Sequence, residues 1–349
     1  MTSMNEQIIL LYGGASTEHE VSVQSAAHAA NEYPGKVIPV AITRDHHWYL
    51  QDEITANIDC SREVSVRPAK GLYAGEHLLE GSCILPLTHG TFGEDGSLQG
   101  LLALLPYPVA SVSVEASAVG MSKYLTKLLC SSLDIPTVYY HVLHDNEPCS
   151  ELQGITFPCF VKPDRGGSSV GITQVKSPES LQDGVSHALR YDHRVLVEES
   201  ADAVELQIGW ICEGDRIRYS AVGEIAAAEG FHSYETKYIN DSGIQTEIPA
   251  KLDRDIMMRL LEYTTRMLKA LDYPLYGRMD FFYSRSSGQL MLNELNTIPG
   301  MTPSSIFPKL FMHQGLNLGQ VISLVVSAAQ ETFQSTSKLI RTLSSEHQL

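Results

Sequence analysis

Two acids, an arginine and an amide recur at alternate positions in Gly277-Arg278-Met279-Asp280-Phe281-Phe282 and in Leu292-Asn293-Glu294-Leu295-Asn296-Thr297-Ile298-Pro299-Gly300. If the two β-rich runs form a hairpin whose turn centres near Ser287, Asp280 lies opposite Glu294 and Arg278 opposite Asn296. Side chains alternate with period two along strands, so all four project from one face. Opposed carboxylates repel unless a cation lies between them, and Asp, Glu and Asn oxygens suit a hard ion such as Mg²⁺. The plain alternative is a solvated polar face, against which Arg278 and Asn296 beside the acids weigh. Magnesium commonly keeps substrate phosphates as ligands, so a phosphate-binding element is expected elsewhere. Lys162-Pro163-Asp164-Arg165-Gly166-Gly167-Ser168-Ser169-Val170-Gly171 supplies one, because glycines and serines let backbone amides approach an anion and Lys162 adds a fixed charge. It is neither GxxxxGK[ST] nor GxGxxG, and taken alone such a loop is only a turn. Lys123, at the start of a helix, is a candidate second phosphate contact.

Two further loops carry polar groups. Leu11-Tyr12-Gly13-Gly14-Ala15-Ser16-Thr17-Glu18-His19-Glu20-Val21-Ser22 reads as a strand, a glycine turn and an acidic segment at the carboxyl edge of a parallel sheet, where ligands of α/β folds collect. Glu20 is better read as a first-turn acid favoured by the helix dipole. His89-Gly90-Thr91-Phe92-Gly93-Glu94-Asp95-Gly96-Ser97-Leu98-Gln99-Gly100 is a second glycine-rich loop before a helix, and periodicity alone makes it structural.

The elements that must hold these loops alternate in the first hundred residues as an α/β layer does. Strands are expected at Ile8 to Leu11, Lys36 to Ile42 and Cys83 to Leu87, with a helix over Ser22 to Tyr33. The pattern resets between Val112 and Met121, and Ser122 is placed to cap a helix over Lys123 to Leu133. Strands follow at Thr137 to Leu143, Phe157 to Lys162, Val195 to Glu198, Glu205 to Cys212 and Arg216 to Gly223. The polar stretch Glu229 to Ala250 is too long for an ordinary connection and reads as a lid or binding loop. Asp253 is placed to cap an amphipathic helix through Leu271, and a last helix spans Leu318 to Ala329. The Ser/Thr-rich tail from Glu331 lies outside the core in this reading.

The 349 residues suggest two or three domains, and 43% apolar content fills their cores. With 25 Lys+Arg against 41 Asp+Glu the net charge is −16, which argues against nucleic acid as a partner but leaves room for a local cationic pocket. Six scattered cysteines without zinc spacing read as buried thiols of a reducing compartment. The start lacks the pattern of a signal peptide. The longest apolar stretch, Gly100 to Val114, is broken by Pro106 and Pro108 and falls short of a membrane span. A soluble cytoplasmic protein with no membrane partner is the expectation.

Together these segments resemble the D-alanine:D-alanine ligase family of the ATP-grasp superfamily, from about Ile8 to Ala329 and with the motifs in family order. The most specific are His89 to Gly100 and Glu294 to Thr302, supported by Gly166 to Gly171 and by Tyr234-Glu235-Thr236-Lys237-Tyr238. The resemblance implies an α/β, three-domain ATP-grasp architecture: an N-terminal parallel-sheet domain at 1–113, a central subdomain at 114–200, a C-terminal subdomain at 201–330 with a lid loop at 229–250, and a tail at 331–349. It implies that Lys123 and Lys162 contact the ATP phosphates under the Ser168 loop, that Glu198 meets the adenine amino group and that Glu205 meets the ribose. Asp280, Glu294 and Asn296 would hold two Mg²⁺ ions, with Mn²⁺ able to substitute. Glu18 would bind the first D-alanine's ammonium, Lys237 and Ser305 the second's carboxylate, and His89 would belong to the substrate pocket. Tyr238 would join Glu18 and Ser168 in a closing network, while Arg278 and the Gly300 N–H would stabilise an oxyanion. A homodimer is also implied.

Glu199 departs from the family, which often carries a non-acidic residue there. Leu275 and Met279 replace smaller residues and touch no proposed ligand. Within the class, a D-alanine:D-lactate or D-alanine:D-serine ligase remains an alternative, with Tyr238 favouring D-alanine by family analogy. Outside it, the alternative is a catalytically silent ATP-binding module.

Overall fold

The computed structural model describes residues 6–145, 147–149, 152, 154–227 and 244–339. The first lobe runs β1 (Gln7–Gly13), α1 (His19–Glu32), β2 (Lys36–Ile42), β3 (Trp48–Leu50), a small sheet of β4 (Val64–Arg67), β5 (Gly71–Ala74) and β6 (His77–Leu78), then β7 (Ile84–Pro86) and α2 (Ser97–Leu102). The main sheet has the order β3-β2-β1-β7, with β1 parallel to both neighbours and β3 antiparallel at the edge. The apolar run in β1 is explained by burial on both faces. Ile8, Leu10 and Tyr12 enter the core shared with α1, whereas Ile9 and Leu11 enter the opposite core with Leu98 and Leu102 of α2.

The helix α1 begins three residues before the expected Ser22, which puts Glu18 at its N-cap position. The Glu18 carboxylate makes no capping bond and is left for other partners. Ser22 instead locks the strand ends: its hydroxyl accepts from the Gly13 N–H at 2.8 Å and donates to the Leu87 carbonyl at 2.6 Å. Gly13 and Gly14 both have positive φ, +91° and +96°, and a Cβ on Gly13 would lie 2.4 Å from the Ile42 carbonyl oxygen. Glycine is therefore required at the turn that aims Glu18.

Next come α3 (Val114–Met121), capped by Ser113, and α4 (Lys123–Ser132), capped by Ser122 accepting from the Leu125 N–H at 3.1 Å. The reset between Val112 and Met121 thus contains a helix of its own. A four-stranded antiparallel sheet, β10-β9-β11-β8, is built from β8 (Tyr140–His144), β9 (Cys159–Pro163), β10 (Thr173–Val175) and β11 (Arg194–Glu199), with α5 (Leu181–Ala188) across it. It has its own small core, including Val161, Val185 and Val197. Ala116 and Cys130 of α3 and α4 belong instead to the core of the last sheet.

That last sheet has the order β14-β13-β12-β15-β16, from β12 (Val204–Glu213), β13 (Arg216–Ala227), β14 (Ile244–Glu247), β15 (Tyr276–Ser284) and β16 (Gln289–Asn296). Part of the expected 229–250 loop is therefore strand, and its remaining residues 228–243 lie outside the described ones. The helix α6 (Arg254–Ala270) starts after Asp253 as expected, but the Asp253 side chain makes no capping bond. After α7 (Ile306–Met312), α8 runs Leu318–Thr336, seven residues beyond Ala329 and into the expected tail. Its residues Val321, Ile322 and Val325 pack with Val23, Ala26 and Ala29 of α1, so the first and last lobes share one core. Residues 340–349 lie outside the described ones. All six cysteines are free; Cys60 is exposed and Cys149 half-buried, so only four are buried thiols.

The β15–β16 register places Arg278 opposite Asn296 and Asp280 opposite Glu294. Near the turn, however, Ser284 pairs with Gln289, which centres it half a residue earlier than Ser287. Asn293 makes up the difference: Phe281 pairs with Leu292, so Asn293 is the extra residue of a β-bulge. Without it Glu294 and Asn296 would face the wrong side.

Gly277 admits the ring of Trp210, which a Cβ would meet at 2.4 Å, with the Asn296 carbonyl at 2.6 Å. Gly277→Ala is expected to cost about 1–3 kcal/mol by overpacking, measured by urea unfolding. An unchanged midpoint would contradict this account of the hairpin.

Candidate active site

Two cavities meet at the junction of the three lobes. The first, of about 730 Å³, is lined by Glu18, His89, Glu94, Lys123, Ser168, Arg278, Glu294, Asn296 and Gly300 among others. The second, of about 1330 Å³, runs between the two antiparallel sheets past Lys123, Lys162, Ser168, Glu198, Glu205 and Glu294. They share Lys123, Gly166, Gly167, Ser168 and Glu294. Molecules bound in the two would face each other across that wall.

The wall residues come from α4, from the glycine loop after β9 and from β16. The Lys123 ammonium donates to the Gly166 carbonyl at 2.7 Å. The Ser168 hydroxyl donates to Glu18, and a Cβ on Gly167 would meet that carboxylate at 2.7 Å, so the glycine loop closes directly over Glu18. Ser168 and Ser169 adopt left-handed backbone, φ +51° and +60°, a conformation that non-glycine residues keep only when their surroundings impose it. Glu20, by contrast, pairs on the surface with Arg44 at 2.6 Å and takes no part.

The loop's base rests on a buried pair that the sequence did not single out. Asp164, fully buried, accepts from the Ser122 hydroxyl at 2.8 Å, from the Tyr124 N–H at 2.8 Å and from two nitrogens of Arg194. This fixes the N-terminus of α4, and with it Lys123, to the end of β9 that carries Lys162. Burying Asp164 is tolerable because Arg194 and hydrogen bonds compensate its charge.

In the second cavity Glu198 sits between two lysines. Its carboxylate takes Lys162 at 2.6 Å on one oxygen and Lys127 at 3.1 Å on the other. Burial works against its ionisation, but Lys162 and Lys127 outweigh it and hold the carboxyl down to about 2. Lys127 did not stand out in the sequence because an i,i+4 lysine on an amphipathic helix looks solvated. The Glu205 carboxylate accepts from Gln207 at 2.6 Å, and the same amide reaches Asp280 at 3.2 Å.

Below the wall, Arg278 grips Asp280 through Nε and Nη2, both at 2.7 Å, and the Asn296 amide donates to Asp280 at 3.2 Å. Burial pushes the Asp280 carboxyl up to about 7, with Arg278 pulling the other way. On the far side, His89 meets Glu94 at 3.2 Å and the Ser25 hydroxyl at 3.1 Å. Burial raises the Glu94 carboxyl to about 7 against the pull of His89. Ser25 also accepts from the Met301 N–H at 3.1 Å, and the His28 ring meets the Met301 carbonyl at 2.7 Å. One helix thus aims Glu18 and anchors the loop that bears Gly300. Ser305 lies beside Gly300, 2.9 Å from where its Cβ would be, with its hydroxyl 2.7 Å from that of Thr302. Lys237 and Tyr238 lie outside the described residues.

Comparison with known proteins decides the family. The sequence profile of the D-ala D-ala ligase N-terminus matches residues 7–111, and that of the D-ala D-ala ligase C-terminus matches residues 129–327. The chain belongs to the D-alanine–D-alanine ligase family. It is 36% identical to the D-alanine–D-alanine ligase of Streptococcus uberis, over 94% of this chain and 97% of that protein. Among solved structures it is similar to the D-alanine-D-alanine ligase of Coxiella burnetii (TM-score 0.84, 28% identity, 97% of this chain and 98% of that one). It is also similar to the VanG D-Ala:D-Ser ligase of Enterococcus faecalis (TM-score 0.78, 30% identity, 93% and 99%). The ATP-grasp architecture expected from the motifs stands on these matches.

In this family member the Glu198 carboxyl lies below its ordinary 4.5, so its contribution to stability is complete above pH 4.5 and is lost as pH falls towards 2. Urea unfolding of wild type and Glu198→Gln is expected to differ by a constant amount above pH 4.5, the gap shrinking below it. A gap independent of pH across that window would contradict the lysine clamp.

Proposed function

We propose that the protein joins two D-alanines at the expense of ATP, forming D-alanyl-D-alanine, ADP and phosphate for peptidoglycan precursor synthesis in the cytoplasm. The observation that carries this reading is the pair of cavities with one shared wall. The larger takes the nucleotide, with Glu205 at the ribose, Glu198 towards the adenine amine, and Lys162 and Lys123 at the phosphates. The smaller takes the amino acids, with Glu18 on the first ammonium beside His89, and Ser305 and Lys237 on the second carboxylate.

Asp280, Glu294 and Asn296 fit a hard cation by donor chemistry: two carboxylates on opposed residues and an amide whose nitrogen already faces Asp280. Mg²⁺ held there, as two ions or with Mn²⁺ substituting, would offset charge on the phosphates. The first D-alanine's carboxylate, a poor acyl donor, attacks the γ-phosphate across the Lys123 and Ser168 wall, releasing ADP and leaving an acyl phosphate. The second amine then attacks that carbonyl and phosphate departs. Arg278, fixed by its two bonds to Asp280, offers its remaining N–H groups to the oxyanion together with the Gly300 N–H. Because water would hydrolyse an acyl phosphate, the site needs a cover, which we assign to segment 229–250 with Tyr238 joining Glu18 and Ser168.

The division at 1–113, 114–200 and 201–330 is supported by the strands, since each of the three larger sheets draws only on one range. The packing of α3 and α4 in the last sheet's core argues for treating 114–133 as a connector. We further propose a homodimer. The likeness to a D-Ala:D-Ser ligase favours one second reading, in which the second substrate is D-serine.

Phosphate release from ATP with D-alanine alone, and with D-alanine plus D-serine or D-lactate, separates these readings. D-alanine alone is expected to support full turnover. A clear preference for D-serine or D-lactate would overturn the assignment of the second substrate, and ATP binding without any turnover would mark a silent module.

A further inference from the structure

Among the described residues, Lys127 is the one buried lysine beside the nucleotide cavity to which the proposed reaction gives no role. Its residue is 2% exposed, it stands one helical turn below Lys123 on α4, and its ammonium lies 5.1 Å from the centre of the Tyr140 ring. Its charged partner is Glu198, itself 2% exposed. Lys162, which borders the nucleotide cavity, is bound to the other oxygen of the same carboxylate.

This arrangement poses a problem of charge. A buried carboxylate with a single lysine holds it strongly, since separating the two leaves an uncompensated charge in a poorly hydrated place. If Lys162 were Glu198's sole partner, moving towards a polyphosphate would strand Glu198. A second lysine on the opposite oxygen removes that penalty. We propose that Lys127 is a positioning residue that keeps Glu198 neutralised, so that the Lys162 charge is free to be shared with the nucleotide's phosphates. The inference rests on the assignment of the larger cavity to ATP. It accounts for two lysines on one carboxylate, where one would satisfy local neutrality. It also explains why Lys127 is buried despite burial pulling its ammonium away from the charged form: Glu198 and the Tyr140 face compensate.

The test compares binding of ATP, ADP and adenosine to wild type, Lys127→Met, Glu198→Gln and Lys127→Met/Glu198→Gln by calorimetry, with thermal melts to verify folding. In Lys127→Met, ATP and ADP are expected to bind about ten- to a hundredfold more weakly, with adenosine affinity unchanged. With Glu198→Gln in place no carboxylate competes for Lys162, so adding Lys127→Met should leave ATP and ADP affinity within a few-fold of that of the Glu198→Gln variant. Equal losses for adenosine and ATP, or an undiminished loss of ATP affinity when Lys127→Met is added to Glu198→Gln, would overturn the proposal and leave Lys127 a structural residue. Wild type that binds no ATP would overturn the nucleotide assignment and this inference together, which distinguishes the two failures.

Discussion

Burying carboxylates where the proposed reaction also brings phosphates is the constraint around which the rest of the structure is arranged. An acidic chain with net charge −16 gathers Glu18, Glu94, Glu198, Glu205, Asp280 and Glu294 around one junction. Specific partners hold these acids: Ser168 for Glu18, His89 for Glu94, two lysines for Glu198, Gln207 for Glu205 and Arg278 for Asp280, with Glu294 set opposite Asp280 in the hairpin. The Ser168–Glu18 pair crosses between lobes and the Lys127–Glu198 pair ties α4 to β11, so the electrostatics of the site and the assembly of the fold are linked. The Asp164–Arg194 pair illustrates it. It contacts neither cavity, yet it joins the helix that bears Lys123 to the strand that bears Lys162.

The lobes contribute unequally to rigidity. The first and last share a core through α1 and α8, and they hold Glu18, His89, Arg278 and Gly300 in one body. The middle antiparallel sheet keeps a small core of its own and carries the Ser168 loop, which reaches Glu18 through side-chain and glycine contacts.

Much of this was legible in the sequence because its signals are local. Ser122 capping α4, the double-glycine turn after β1 and the opposition of Asp280 and Glu294 all follow from residue type and spacing. The last held for a reason spacing alone did not contain: the turn centre was misplaced by half a residue, and the Asn293 bulge restored the alignment. What was not legible depends on tertiary burial. Lys127 reads as a surface lysine until Glu198 is placed beside it, and Asp164 reads as a loop residue until Arg194, thirty positions away, closes on it. The helix α3 gives no sequence signal because its short apolar run has no strong amphipathic period, and the periodicity of α8 stops at Ala329 because its last turns are polar and exposed.

In the proposed reaction two ligands meet across one wall, the carboxylate of one displacing ADP from the other. That claim is most directly tested by running the reaction with D-alanine labelled with ¹⁸O in its carboxylate and measuring the released phosphate by mass spectrometry. One labelled oxygen per phosphate formed is expected, because the attacking carboxylate oxygen leaves with the phosphoryl group when the peptide bond forms. Phosphate carrying no label during productive turnover would contradict direct attack on the γ-phosphate, and with it the role assigned to the shared wall.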